Sequence, residues 1–512
     1  MKTTQGHMGM RNRALLLITA GLMFGGRVIQ GQDSGKPSTA IPDRPEKLAF
    51  PPLAYEPPAP EKYRVVLKSG PVAYVVPDRE LPLVNLVVYV RTGQYLEPDG
   101  KQGLAELTGY LLARGGTQSK TAEELEERLA FLAARLESGV GETQGSVSLN
   151  LLSKDLEEGL GILREVLTAP RFQEDKVALR KQQMLQAMKE RNDDSRSIEV
   201  REAGFLAFGE KFWANRYSTK DSVQSLSRSD LEDFHHKWFQ PANFVVAASG
   251  DFDREQMIEK LDKLFGAWPF KGAIPEPIPT NTVFASTGVY IVDKDVNQGR
   301  VAMMLPGMMR DDPEYFPAVI MNDILGGGGF TSRIMNRVRS DEGLAYDAHS
   351  AFPGGVYYPL TLSAGFQSKS RTVPYAASIV LQEMEKMTKA PVSDQELNTS
   401  KRGFIDRFPR TFATKIQIAN TFAQDEFTGR YAKQPDYWKK YRSRIEGVGK
   451  EDIERVAEKY VKPDKLVILV VGQKNEILLG QPGHEVKLSE LAGNRVVDVP
   501  LRDPSTMKPM ER

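Results

Sequence analysis

The feature that most constrains this chain is an internal duplication. Asp230-Leu231-Glu232 leads through Phe234, Lys237, Trp238 and Pro241 to an apolar run, Phe244 to Ala248, that closes at Gly250. Asp452-Ile453-Glu454 leads through Val456, Lys459, Tyr460 and Pro463 to Leu466 through Val471, closing at Gly472. The pairs Asp230/Asp452, Pro241/Pro463 and Gly250/Gly472 all stand 222 residues apart. Each segment reads as an amphipathic helix stopped by proline, then a buried strand ended by glycine. A second anchor, Pro170 against Pro391, lies at an offset of 221. Each of those prolines follows a helical stretch (Leu160–Thr168, Val380–Thr388) and precedes a helix start (Gln173-Glu174-Asp175, Ser393-Asp394-Gln395). Two anchors at nearly one offset mark a repeated unit.

A period near 220 residues divides the chain into a first half at 63–275 and a second at 285–475, followed by an extension at 476–512. Both halves open with β-rich segments: Arg64–Val76 and Val84–Thr92 in one, Gly288–Val292 and Gly299–Leu305 in the other. Long helices follow, then a final strand. That order predicts an α+β fold of two homologous domains, each a mainly antiparallel sheet with helices packed on it. The proline-rich stretch Pro269–Pro279 is the expected hinge. The tail beyond Gln473 is expected to fold back onto one half.

The N-terminus is of a different kind. Lys2, Arg11 and Arg13 precede an apolar run from Ala14 to Phe24, so residues 1–31 read as a secretory signal with cleavage near Gly31. The run is short for a bilayer span, which makes a retained anchor the weaker reading. Residues 32–62 are rich in proline and charge without an apolar period, as in an extended linker. An exported, periplasmic protein without a stable membrane span is therefore expected. Lys plus Arg (68) nearly cancels Asp plus Glu (67), which disfavours nucleic acid as a partner. The absence of cysteine excludes a disulfide framework, a thiolate metal site and a cysteine nucleophile.

The segment Gly93-Gln94-Tyr95-Leu96-Glu97-Pro98, followed by Gly103-Leu104-Ala105-Glu106-Leu107-Thr108-Gly109-Tyr110-Leu111-Leu112 and Gly115-Gly116-Thr117, resembles the signature of the pitrilysin/insulinase zinc metallopeptidases. In that family the helix after Gly-Leu-Ala carries His-x-x-Glu-His. Its two His bind zinc and its Glu is the general base on the bound water. The resemblance maps those positions to Glu106, Gly109 and Tyr110, and the third zinc ligand to Ala187, with Arg180 where a supporting Glu usually stands. The resemblance thus implies a family member that binds no zinc of its own. A metal elsewhere is disfavoured by the five histidines, His7, His235, His236, His349 and His484. Adjacent helical residues such as His235 and His236 point about 100° apart, His7 falls in the signal segment, and His349 and His484 have no neighbouring ligand pattern.

The second half keeps another part of the family pattern. Leu325-Gly326-Gly327-Gly328-Gly329-Phe330-Thr331-Ser332-Arg333 precedes Arg339-Ser340-Asp341-Glu342-Gly343-Leu344-Ala345-Tyr346. This resembles the C-terminal-half motif in which an Arg and a Tyr seven residues apart contact substrate, which maps those roles to Arg339 and Tyr346. The glycine run lacks the Gly-Lys-Ser/Thr ending of a phosphate loop and suits a tightly packed helix end. The family includes heterodimers in which one subunit carries His-x-x-Glu-His and the other, lacking it, contributes the Arg/Tyr pair to a shared clam-like chamber. The resemblance spans 63–475 and implies the second role: a peptide-binding subunit, inactive alone, whose zinc is held by a catalytic partner of the same family. The competing expectations are an inert scaffold or peptide-binding chaperone, and an autonomous hydrolase with a relocated metal.

Overall fold

The repeated segments fold alike and occupy equivalent places. In a computed structural model of the chain, Arg228–Trp238 is a helix, Pro241–Asn243 a single tight turn and Phe244–Gly250 a strand. Lys450–Tyr460, Pro463–Lys465 and Val467–Gly472 repeat that order. Ser227 caps the first helix through the Asp230 amide, while Asp230 returns a bond to the Ser227 backbone. The structure describes residues Tyr55–Glu511 together with Arg44 and Leu48. The signal segment 1–31, most of the stretch 32–62, and His7 lie outside the described residues.

The first half supplies β1 (Arg64–Val66), β2 (Val72–Pro77), β3 (Leu83–Val90), β4 (Arg135–Val140), β5 (Gly145–Leu152) and β6 (Phe244–Gly250), in the sheet order β1-β2-β6-β3-β5-β4. The second supplies β7 (Gly288–Asp293), β8 (Gln298–Pro306), β9 (Ala345–Ala351), β10 (Thr361–Lys369) and β11 (Val467–Gly472). With β12 (Val496–Asp498) they take the order β12-β7-β11-β8-β10-β9. Only the β2–β6, β7–β11 and β7–β12 pairs are parallel; the other pairs of both sheets are antiparallel. The fold is α+β with two mainly antiparallel six-stranded sheets, as the duplication predicts. Every residue of β6 and of β11 is buried, because each strand is covered on both faces. In β5 and β10 burial alternates residue by residue, so one face meets a core and the other carries Ser146, Ser148 and Asn150, or Ser363, Gly365 and Gln367.

The covering of the second faces was not legible in the sequence. One face of each sheet packs on helices of its own half: Leu104–Leu112 and Leu156–Thr168 belong to one core, Val373–Lys389 and Lys450–Tyr460 to the other. The opposite face is covered by a helix from the other half. Lys415–Phe427, with Phe408 and Phe412 before it, packs Ile418 and Phe422 onto Tyr74, Tyr89, Val245 and Ala247 of the first sheet. Ser195–Phe208 packs Ile198 onto Tyr290, Met304, Val467 and Leu469 of the second. Glu426 fastens one exchange, accepting from the Tyr74 hydroxyl at 3.0 Å and from Arg64 Nε at 2.9 Å. From Tyr55 onward the chain is one compact unit.

The connections reinforce this exchange. The stretch read as a hinge runs extended but pinned: Ala273 N donates to Lys237 O at 2.7 Å and Trp213 Nε1 to Pro279 O at 2.9 Å, and just beyond it Val283 N donates to Phe208 O at 3.0 Å. The C-terminal tail engages both halves instead of one. Its β12 lies beside β7, in the edge position that β1 holds in the first sheet. Beyond it, Arg502 is buried against helix Ser195–Phe208, where its Nε donates to Glu202 at 3.3 Å and Glu202 also accepts from Arg201 at 3.1 Å. No described helix is long and apolar enough to cross a membrane.

Candidate functional site

Helix Leu104–Leu112 carries the Glu106, Gly109 and Tyr110 positions. It begins at Gly103, whose φ of +100° is open to glycine and costly for other residues. Glu97 caps it: one carboxylate oxygen accepts from Gly103 N at 3.1 Å and Ala105 N at 2.8 Å. With Glu97 only 6% exposed, burial pushes its pKa up to about 7, against the opposing pull of the two amides and Arg216. The apolar face of the helix, Leu104, Leu107 and Leu111, is buried in the first core.

At Gly109 the helix backbone lies against β4. A Cβ there would overlap Val140 N and stand 2.7 Å from Gly139 C, so no side chain fits without displacing the strand. Ser138 closes the same contact, donating to Gly109 O at 2.6 Å and accepting from Ala113 N at 2.9 Å. The position that the family pattern gives to the general base has no room for a carboxylate.

Glu106 and Tyr110, one turn apart, both face Arg180. The Arg180 Nη2 donates to Glu106 Oε1 at 2.8 Å, and its Cζ lies 4.1 Å from the Tyr110 ring centroid. Arg114 approaches the same ring at 4.7 Å. Glu106 is half of a part-buried ion pair with Arg180. A fixed guanidinium therefore touches both positions that the family pattern gives to imidazoles. Ala187 is exposed on helix Glu174–Lys189 and offers no ligand atom. These residues do not fit a zinc ion: the one carboxylate is engaged by a cation, and the other three positions hold glycine, phenol and methyl groups.

The described histidines are spent elsewhere. His235 is fully buried among Phe172, Phe239 and Phe270, hydrogen-bonded to Leu167 O at 3.0 Å, and burial lowers its pKa to about 3. His236 is exposed, and His484 stacks on Tyr375 at 3.7 Å between centroids. His349 Nδ1 lies 2.8 Å from Asp347 Oδ2 on β9. Among the described residues no group of three or more His, Cys, Asp or Glu is placed to hold a metal ion.

Arg339 and Tyr346 come together. Arg339 lies on the wide helical turn Asn336–Asp341, and Tyr346 is the second residue of edge strand β9. The Arg339 Cζ stands 4.4 Å from the Tyr346 ring centroid and 4.7 Å from that of Phe330. These rings are 82% and 65% exposed, so the pair is a surface feature and not part of the core. Neighbouring arginines are paired, Arg333 with Glu396 at 2.6 Å and Arg337 with Glu383 at 3.6 Å. Arg339 has no carboxylate partner among the described residues. Its guanidinium lies over two aromatic rings and its N–H groups make no hydrogen bond among the described residues, an arrangement suited to a peptide carbonyl or carboxylate. Upstream, Gly326 packs on β9: a Cβ there would lie 2.6 Å from Ser350 Oγ. No hydrogen bond, ion pair or ring contact among the described residues joins this cluster to Glu106, Tyr110 and Arg180.

Tyr346 also walls a cleft of about 770 Å³ between helix Ser195–Phe208 and the outer faces of β8, β10 and β9. Arg300 crosses its floor, donating from Nε to Glu199 at 2.7 Å and from Nη1 to Gln367 at 2.7 Å. Sequence reasoning missed this cleft because a helix of the first half forms one wall and strands of the second form the other. The alternating polar positions of β10 were the available signal.

Two descriptions of one family match the chain, and between them they cover more than half of it. "Insulinase (Peptidase family M16)" matches residues 75–205 and "Peptidase M16 inactive domain" matches residues 225–404. A "non-peptidase homolog" of Helicobacter pylori, YmxG, is 26% identical over 350 residues, covering 67% of this chain and 78% of that protein. A probable mitochondrial-processing peptidase subunit beta of Arabidopsis thaliana is 20% identical over 432 residues, 81% of this chain and 79% of its own. In fold, the chain is similar to the crystal structure of a peptidase M16 inactive domain from Pseudomonas fluorescens, at a TM-score of 0.71 and 23% identity. The likeness covers 80% of this chain and 97% of that one.

Proposed function

The chain belongs to the insulinase (M16) family of peptidases, and on that premise we propose that it is a non-catalytic, peptide-binding subunit of an exported heteromeric zinc peptidase. The observation that carries the reading is an asymmetry. The frame of the zinc helix is closed, by the contact of Gly109 with β4 and by the Arg180 guanidinium between Glu106 and Tyr110. The Arg339–Tyr346 cluster is open, stacked and without a carboxylate partner among the described residues. A decayed enzyme gives no reason for the second feature; a subunit that supplies half of a shared site does. The relative named as a non-peptidase homolog supports inertness of the isolated chain, and the relative named as a processing-peptidase subunit supports pairing. Export rests on the basic and apolar N-terminal pattern of residues 1–31.

In this role Arg339 holds a peptide carbonyl or chain-terminal carboxylate through paired N–H groups, and the Tyr346 hydroxyl donates to the oxygen that becomes negative at the scissile carbonyl. The partner supplies zinc and the general base. The test is reconstitution: purified chain, purified M16-family partner carrying His-x-x-Glu-His, and their mixture, each assayed on peptide. Neither is expected to turn over substrate alone at the rate of the mixture. Arg339→Ala or Tyr346→Phe is expected to cut that rate by roughly 10²–10³-fold, the scale of one lost oxyanion donor. A partner equally active without this chain favours an inert scaffold instead, and wild-type rates from both variants remove the assigned roles.

A further inference from the structure

The cleft beside Tyr346 carries an imbalance of charge that the reading above does not use. Among its lining residues are the cations Arg196, Arg300 and Lys369 and the carboxylates Glu199 and Asp347. Both carboxylates are engaged, Glu199 by Arg300 at 2.7 Å and Asp347 by His349 at 2.8 Å. Arg196 and Lys369 are exposed, and their side chains form no ion pair among the described residues, although the Arg196 backbone N–H donates to the Asp194 carboxylate at 3.1 Å. Arg339 adds another such cation at the rim, held over the Tyr346 ring. Small side chains on the floor, Ala302 and Gly365, let a main chain come close. A cleft walled by protein and lined with one excess sign of charge concentrates ligands of the opposite sign.

We infer that this cleft takes an acidic peptide, an extended segment whose Asp or Glu side chains reach Arg196 and Lys369 while its backbone or terminal carboxylate meets Arg339. The inference rests on the peptide-binding reading above and adds the chemical class of the peptide. A basic segment meets unbalanced positive charge there, and a neutral one gains nothing from Arg196 or Lys369.

The experiment uses the full chain and three fluorescently labelled peptides of one length and backbone, with Glu, Gln or Lys at alternating positions, followed by anisotropy. The Glu peptide is expected to bind about tenfold more tightly than the Gln peptide, with the gap closing at high salt. The double substitution Arg196→Gln/Lys369→Gln is expected to abolish that gap. Lys369→Gln serves as a milder check, with circular dichroism confirming the fold of each variant. Equal binding of the Glu and Gln peptides, both weakened by Arg339→Ala, overturns the acidic preference and leaves peptide binding standing. Tightest binding of the Lys peptide overturns it as well. Failure of every peptide to bind natively folded protein removes both readings.

Discussion

At Gly109 the helix and β4 approach so closely that a single methyl group has nowhere to go. Its neighbours in that contact are backbone atoms of Gly139 and Val140, which cannot swing aside as a flexible side chain can. Gly109→Ala is therefore expected to destabilise the chain by about 1–3 kcal/mol, the usual scale of overpacking, as read from urea denaturation. A neutral effect means the strand yields freely and the closed-frame argument is wrong. Glu97 makes a different point. Its carboxyl is raised by burial from the ordinary 4.5 to about 7, so the folded state binds more protons than the unfolded one between those values. The corresponding stability, on the order of 3 kcal/mol at most, is present below pH 4.5 and is lost as pH rises through 7. Glu97→Gln, which resembles the protonated form, is expected to flatten stability against pH across that window. Parallel curves for the two proteins would sink the assignment. The sequence showed Glu97 only as part of a family pattern, since nothing local says that it turns back onto an amide six residues on.

Helices and strands were largely legible from period and punctuation. The proline-stopped helices and glycine-ended strands at 228–250 and 450–472 lie where the pattern predicts them. Which sheet a helix would cover was not legible, because an apolar stripe records that a face is buried and not what buries it. Lys415–Phe427 and Ser195–Phe208 cross to the opposite half, so each sheet depends on the other half for one of its faces. Phe422, 1% exposed on a helix of the second half, lies against Tyr63 and Tyr74 of the first. Phe422→Ala is expected to cost about 3–5 kcal/mol and to shift one cooperative unfolding transition as a whole. Two separated transitions, with only the second half weakened, would show that the exchange does not couple the halves. The cleft beside Tyr346 has the same origin: the crossing helix provides its wall, so no stretch of sequence contains it.

For the whole molecule, the amino-acid sequence by itself determined the duplication, the α+β class, and the Glu, Gly and Tyr at 106, 109 and 110 where the family pattern has two imidazoles and a base. Each of these is a matter of residue type and spacing along the chain, which period, turn chemistry and ligand atoms express directly. It also contained Arg339 and Tyr346 at their interval of seven. Tertiary structure alone decided that Arg180 meets both Glu106 and Tyr110, that β4 closes on Gly109, and that Arg339 lies over two exposed rings. It alone placed Arg196 from one half opposite Lys369 from the other. The reason is physical: these contacts join groups far apart in sequence, and their distances are set by how two sheets and the helices they exchange pack together. No local propensity carries that information.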